Sequence, residues 1–314
     1  MRWVVKIVAL LGVVLAVSFL TSLMTTLLRG DPAEVVAGQR ASDKAYVKRL
    51  REDLGLNEPV LVRYGKWIGG VARGDFGKSM ELNPEPVGSK LRRTIPNTVQ
   101  LAVLAELVAI VFAVPLGVWS AYRADSRGDK VATGVTFGLL ALPVFVSAMV
   151  LIYVFGVQLG WLKIQFVEPG RGGWIKSLST SIMPVIVLSL GILAVYARLL
   201  RTDMIATLQE DFILNARARG LTNRYILFRH ALRPSAFSLL TVAGINVGTL
   251  IGGSVVVEQI FSVNGVGNLL VQSVSSRDIF TVQAIVLLIS MTYVGVNFLV
   301  DVLYSALDPR IRRA

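Results

Sequence analysis

Six long stretches nearly free of charged residues run through the sequence: about Ile7–Leu28, Asn97–Tyr122, Val131–Gly156, Ser177–Ala197, Pro234–Val257 and Ile279–Val300. A helix of about 20 mainly apolar residues crosses a hydrocarbon core of roughly 30 Å, so each stretch is long enough to span a membrane. Lipid offers no partners to backbone amides, and each is therefore expected to be helical. The ~10-residue alternating segments of an outer-membrane barrel are not found. Only 17% of the 314 residues are charged and mean hydropathy is +0.64, against about 25% charged in soluble domains. The expected fold class is all-α, a polytopic membrane protein with six transmembrane helices. The first stretch exceeds the 7–15 apolar residues of a secretory signal and lacks a small-residue cleavage site, so an uncleaved anchor is expected.

Lys and Arg in the short connections orient the chain. With the N-terminus inside, the inner segments carry fifteen basic residues: Arg2, Lys6, Arg123, Arg127, Lys130, seven arginines from Arg198 to Arg233, and Arg310, Arg312 and Arg313. The two short outer loops hold four, Lys163, Arg171, Lys176 and Arg277. This contrast satisfies the positive-inside rule and places both termini in the cytoplasm. Between Arg29 and Arg93 thirteen basic and nine acidic residues leave net +4, but so long a loop translocates largely regardless of charge. The overall +12 and pI near 10.2 follow mostly from topology, and a nucleic-acid partner is not expected.

The long outer loop has helical spacing over Ala41–Asp53 and Leu61–Val71, separated by Leu54–Pro59, with turn material at Arg73–Gly77 and Pro84–Pro86. It reads as a small cap that meets a soluble partner or lies on the outer leaflet with Trp67 at the interface; the plainer reading is a spacer packed on its own helices.

Several chemistries are excluded. Cysteine is absent, which removes disulfides, Cys-ligated metals and thiol catalysis. His230 is the single histidine, too few for a multi-histidine metal site. Gly77-Lys78-Ser79 ends like a phosphate-binding loop, but Ala72 stands where its first glycine is required. Gly265-Val-Gly267 lacks the last glycine of a dinucleotide fingerprint and reads as a turn. No catalytic residue, metal or cofactor is assigned to this chain. Glu106 is the one carboxylate well inside a span, read as a hydrogen-bonded or protonated group at a helix contact rather than a substrate or proton site. Glu258 and Asp301 fall near span ends and read as interfacial anchors. The spans thus lack the dense ionisable relay of an ion-driven carrier.

The inner segment of about 203–233 is the remaining candidate for receiving energy. Glu210 and Asp211 form an acidic first turn that complements a helix dipole. Ala216 and Ala218 are small, Gly220 permits a sharp turn, and a helix restarts over Arg224–Leu232. Helix, turn and helix make a rigid peg; the plainer alternative is that the arginines anchor to anionic lipid.

This segment resembles the cytoplasmic signature of ATP-binding-cassette importer permeases, written Glu-Ala-Ala, three residues, Gly, nine residues, Ile, one residue, Leu, Pro. Anchored on Gly220, the second alanine falls on Ala216 and the leucine on Leu232. Leu214, Asn215, His230 and Arg233 depart from it, and Glu210–Ile213, Ala216–Leu221 and His230–Arg233 are similar to the dipeptide, oligopeptide and nickel branch. Arg73–Gly77, Gly252–Glu258, Gly265–Gly267 and Leu307–Ile311 resemble other parts of its B-type permease.

The resemblance implies a type I importer permease in a bacterial inner membrane. It divides into an N-terminal helix (1–28), an extracytoplasmic loop domain (29–96) and a five-helix core (97–314). Implied partners are a second homologous permease, two cassette ATPases, an extracytoplasmic solute-binding protein and the lipid bilayer. Glu210, Asp211, Asn215, Ala216, Arg217, Ala218, Arg219, Gly220, Leu221 and Leu232 are the implied ATPase-coupling residues. Solutes of the branch are short peptides, nickel chelates, glutathione and related compounds. Asn246, Thr249 and Ser254, with Gln283 and Tyr293, either line a polar path or bond between helices; Gly244, Gly248, Gly252 and Gly253 suggest close packing there. The competing class is a self-contained ion-coupled carrier or channel that uses Glu106; an intramembrane enzyme lacks a nucleophile–base pair.

Overall fold

The computed structural model describes residues 2–27, 31–53, 55–81, 84–169 and 173–307. Arg29, Leu54, Arg171, Arg310, Arg312, Arg313 and the C-terminal stretch after Leu307 lie outside the described residues, as does the side chain of Asp301. The helices are α1 (Arg2–Leu27), α2 (Pro32–Ala37), α3 (Lys44–Asp53), α4 (Val60–Val71), α5 (Val87–Tyr122), α6 (Arg127–Ala141), α7 (Val144–Gln158), α8 (Trp174–Leu208), α9 (Asp211–Ala218), α10 (Asn223–Gly253), α11 (Val255–Ile260), α12 (Val266–Ser275) and α13 (Ile279–Leu307). Among the described residues β pairing is confined to one bridge between Lys78 and Pro86.

Four helices, α5, α8, α10 and α13, are long and apolar enough to cross a membrane, and α1 carries a shorter apolar stretch at Leu10–Leu23. The expected third span is not one rod. It breaks between α6 and α7 with a bend of 103°, because Pro143 cannot continue a helix and forces Leu142 into extended backbone (φ −78°, ψ 121°). The fifth span also differs from expectation. The helix foreseen as restarting at Arg224 runs unbroken into it, through a π-helical stretch at Ile226–Ala231. That wider turn lies directly before Pro234, whose ring excludes the ordinary bond to the carbonyl of His230.

The chain divides into two compact units. One comprises Met1–Thr98 and Asn264–Gly295. Its core joins Val14 of α1, Trp67 of α4, Val87 and Leu91 of α5, Val266 and Leu269 of α12, and Ala284, Ile285 and Leu287 of α13. The outer loop is therefore folded against its neighbours. Tyr64 bonds Ser18 Oγ at 2.6 Å, and its ring meets Phe19 edge-on at 5.3 Å. Trp67 is 7% exposed and gives its indole N–H to Phe76 O at 3.2 Å, so it is a core residue and not a leaflet anchor. The turn at Arg73–Gly77 forms as expected, with Gly74 and Gly77 both at positive φ. Asp278 is fully buried: Oδ1 accepts from the Met80 amide at 3.0 Å, Oδ2 from Thr281 Oγ1 at 2.5 Å, and Lys90 Nζ lies 3.7 Å away. Gly265 does not form a turn; it is the residue from which α12 starts.

The other unit comprises Val99–Val263 and Val296–Ala314. Its main core collects Leu101, Ala102 and Ala105 of α5, Met183, Val185, Val187 and Leu188 of α8, Leu250 and Ile251 of α10, Val257 of α11 and Phe261. Ala102, Ala105, Ala109 and Ala113 are buried at helical spacing along α5, and a methyl on Gly117 would press on Ala197 O at 3.0 Å. Small side chains let the α5 and α8 backbones approach, which is how helices associate without a hydrophobic drive between them. On α10 only part of the glycine expectation holds. A methyl on Gly244 would strike Val300, whereas one on Gly253 would meet open space. Glu258 is fully buried and accepts from Ser254 Oγ at 2.8 Å, which replaces the interfacial role read for it; Ser254 supplies the hydrogen bond that burial demands.

Candidate functional site

The peg consists of α9, a turn and the root of α10. Glu210 stands at the N-cap in extended backbone (φ −71°, ψ 148°), and Asp211 lies in the acidic first turn. Ile213 and Ala216 repeat at i, i+3 and are buried, at 0% and 5% exposure. They pack into a core with Val118 and Ala121 of α5, Leu200 and Met204 of α8, and Ile226, Leu227 and Ala231 of α10, against which Leu232 is half-buried. Asp211, Asn215, Arg217, Ala218, Arg219, Gly220 and Leu221 are exposed. The ten residues implied for coupling thus divide into an inward set that seats the peg, Ala216 and Leu232, and an outward set that faces solvent.

The turn has a specific geometry. Gly220 N–H donates to Arg217 O at 2.9 Å and Leu221 N–H to Ala216 O at 3.3 Å, with Gly220 at φ +75°. Those two bonds and the left-handed residue form a Schellman motif, which satisfies carbonyls otherwise left open at the end of α9. The space around Gly220 is free of neighbours within 4 Å, so backbone conformation, not crowding, demands glycine.

Beside the peg, a buried charge pair fixes α6 to α8. Arg201 reaches Asp129 with both ends of its fork, Nε to Oδ1 at 2.7 Å and Nη2 to Oδ2 at 2.6 Å. Ser120 Oγ also donates to Oδ1, and the Asp125 amide donates to Oδ2 at 2.9 Å. Arg201 was counted in the sequence only as inner charge, and Asp129 carried no role. Their 72-residue separation leaves no local pattern to read. Arg198 lies over the Phe137 ring at 4.5 Å and makes a second α8–α6 tie.

In the same unit, an open groove of about 340 Å³ runs among α6, α7, α8 and α10, with Leu140, Val144, Gly191, Val195, Asn246 and Thr249 in its lining. Asn246 and Thr249 line this groove, while Ser254 is buried against Glu258 and does not. Asn246 also bonds between helices, giving Nδ2–H to Tyr196 OH at 3.0 Å, and Tyr196 in turn donates to Glu106 Oε1 at 2.6 Å. The helix-contact reading of Glu106 is what the structure shows, with Tyr196 as the partner. Gln283 is buried in the first unit and Tyr293 is exposed there. Among the described residues no group of three or more His, Asp or Glu side chains forms a metal cluster.

Comparison with known proteins covers nearly the whole chain. Residues 113–313 match the family model of the binding-protein-dependent transport system inner membrane component, and residues 1–102 match its N-terminal counterpart. A putative peptide transport system permease protein of Brucella abortus is 37% identical over 311 residues, 98% of this chain and 97% of that protein. The glutathione transport system permease protein GsiC of Escherichia coli K12 is 33% identical over 313 residues, 99% of each. A chain of the MetNI methionine ABC transporter, solved in an inward-facing conformation, superposes with a TM-score of 0.58 at 16% identity over 69% of this chain and 96% of that one. At that identity the likeness is one of fold.

Proposed function

The chain belongs to the binding-protein-dependent transport system inner membrane components, and from that premise we propose that it is the permease through which an ATP-driven importer passes short peptides or related solutes such as glutathione. The solute class is suggested by the names of relatives at 33–37% identity over nearly their full length. A second homologous permease completes the path, an extracytoplasmic binding protein delivers the solute, and two cassette ATPases on the inner side supply the energy. Fifteen inner basic residues against four in the short outer loops support an inner-membrane location with both termini in the cytoplasm.

The observation that carries this reading is the peg: a short helix seated on side chains of α5, α8 and α10, with its charged and apolar outer face uncovered. An ATPase that grips this face differently when open and closed shifts the equilibrium between two arrangements of the helix bundle. Glu210, Asp211, Asn215, Arg217, Ala218, Arg219, Gly220 and Leu221 form the gripped surface, while Ala216 and Leu232 transmit the push to the bundle. Asn246 and Thr249 contact the solute on its way.

Gly220 provides the test. Gly220→Trp is expected to abolish solute uptake by the reconstituted complete transporter while membrane insertion persists. Gly220→Asn, which tolerates a left-handed backbone, should retain a measurable part of it. Normal uptake by the Gly220→Trp complex would remove the coupling role from this turn.

A further inference from the structure

Glu106, Tyr196 and Asn246, on three helices, form a hydrogen-bonded chain in which Asn246 donates to Tyr196 and Tyr196 to Glu106. Glu106 of α5 is 7% exposed, and Oε1 accepts the proton of Tyr196 on α8, itself fully buried, at 2.6 Å. The other carboxyl oxygen, also buried, has no partner among the described residues, so holding Tyr196 is the one hydrogen-bonding duty this side chain performs. A phenol carries a single proton. With that proton given to Glu106, Tyr196 has only lone pairs to offer Asn246 of α10, and the contact at 3.0 Å is filled by the amide nitrogen.

The amide of Asn246 is thereby turned with its N–H end into the protein and its carbonyl oxygen away from Tyr196. Thr249 Oγ1 donates to that oxygen only at 3.4 Å, and the same hydroxyl makes a shorter bond, 2.9 Å, to the Asn246 backbone carbonyl. Oδ1 keeps accepting capacity, and Asn246 lines the 340 Å³ groove, whose remaining lining is apolar apart from Thr249.

We infer that Asn246 Oδ1 is a fixed acceptor on the solute path, held in that orientation by Tyr196 and Glu106, and that the groove favours solutes bearing a peptide N–H over analogues that lack it. The inference rests on the proposed reading of the chain as a solute-conducting permease. An acceptor against an apolar wall rewards a donor and leaves a donorless analogue with an unpaired oxygen opposite it, which makes the discrimination steeper than the bond alone. A neutral carbonyl also suits passage, since a path must bind weakly enough to release. Tyr196 and Glu106 act through Asn246 and are positioning residues.

The complete transporter, reconstituted in liposomes with its binding protein, tests this. Uptake of alanyl-alanine is compared with uptake of the analogue methylated on its peptide nitrogen, and the ratio is divided by the ratio of their affinities for the isolated binding protein. The unmodified complex should prefer the N–H peptide by about 2- to 10-fold after that correction. Asn246→Leu should bring the corrected ratio to 1. Tyr196→Phe, which removes one hydroxyl and frees the amide to turn, should lower it part of the way, and Glu106→Leu should behave likewise. Glu106→Gln should preserve the ratio, because an amide carbonyl still accepts from Tyr196. A corrected ratio of 1 in the unmodified complex, or full discrimination retained by both Asn246→Leu and Tyr196→Phe, overturns the inference and leaves the permease reading standing. No uptake of either peptide, nor of glutathione, by the unmodified complex would overturn both.

Discussion

Arg201 and Asp129 show what a single pair does in this protein. The Asp129 side chain is 2% exposed and Arg201 25%, so removing Arg201 strands the Asp129 carboxylate away from water. Breaking such a buried pair from one side typically costs about 3–5 kcal/mol, whereas replacing both by apolar groups of similar volume is often neutral. Arg201→Met alone is thus expected to lower the thermal stability of the detergent-solubilised protein sharply. Asp129→Leu combined with Arg201→Met should recover most of it, and equal losses in the single and double variants would remove the pair from the stability of this unit. The residues that make this site differ greatly in how readable they are. Gly220 was legible because a left-handed turn has one favoured residue. Asp129–Arg201 and Glu106–Tyr196, separated by 72 and 90 positions, were not, because nothing in their local sequence records which distant side chain they meet.

At the level of elements, the peg is a device in which two buried residues hold an otherwise exposed helix. Ile213 supplies most of the buried side chain of α9, and Ile→Ala in a core typically costs about 2–5 kcal/mol. Ile213→Ala should therefore loosen α9 while leaving the spans intact, read as faster proteolytic cutting near 210–222 in inside-out vesicles together with reduced uptake. Unchanged cutting would show that the turn bonds at Gly220 suffice to hold the helix. The apolar runs foretold where the long helices lie, since lipid leaves the backbone no alternative to helix. They did not foretell the 103° bend, although Pro143 inside an apolar run was its visible signal. Nor did hydropathy separate the buried Glu258 from an interfacial residue; its depth depends on Ser254 and on neighbouring helices, not on its place at the end of a run.

The molecule as a whole offers a clean test of its topology, because it contains no cysteine. Single-cysteine variants at exposed Ser42 and Arg219 should react with a membrane-impermeant maleimide from opposite sides, Ser42 in intact spheroplasts and Arg219 only in inside-out vesicles. Labelling of both from one side would reverse or break the proposed orientation. The clasp between α6 and α8 also bears on how the protein is made. Asp129 leaves the ribosome 72 residues ahead of Arg201, which at a synthesis rate of about 5–20 residues per second is an interval of roughly 4 to 14 s. Throughout it the nascent chain carries a carboxylate whose counter-ion has not yet been translated. The insertion machinery must then shelter α6, or leave its first turn in water, until α8 arrives.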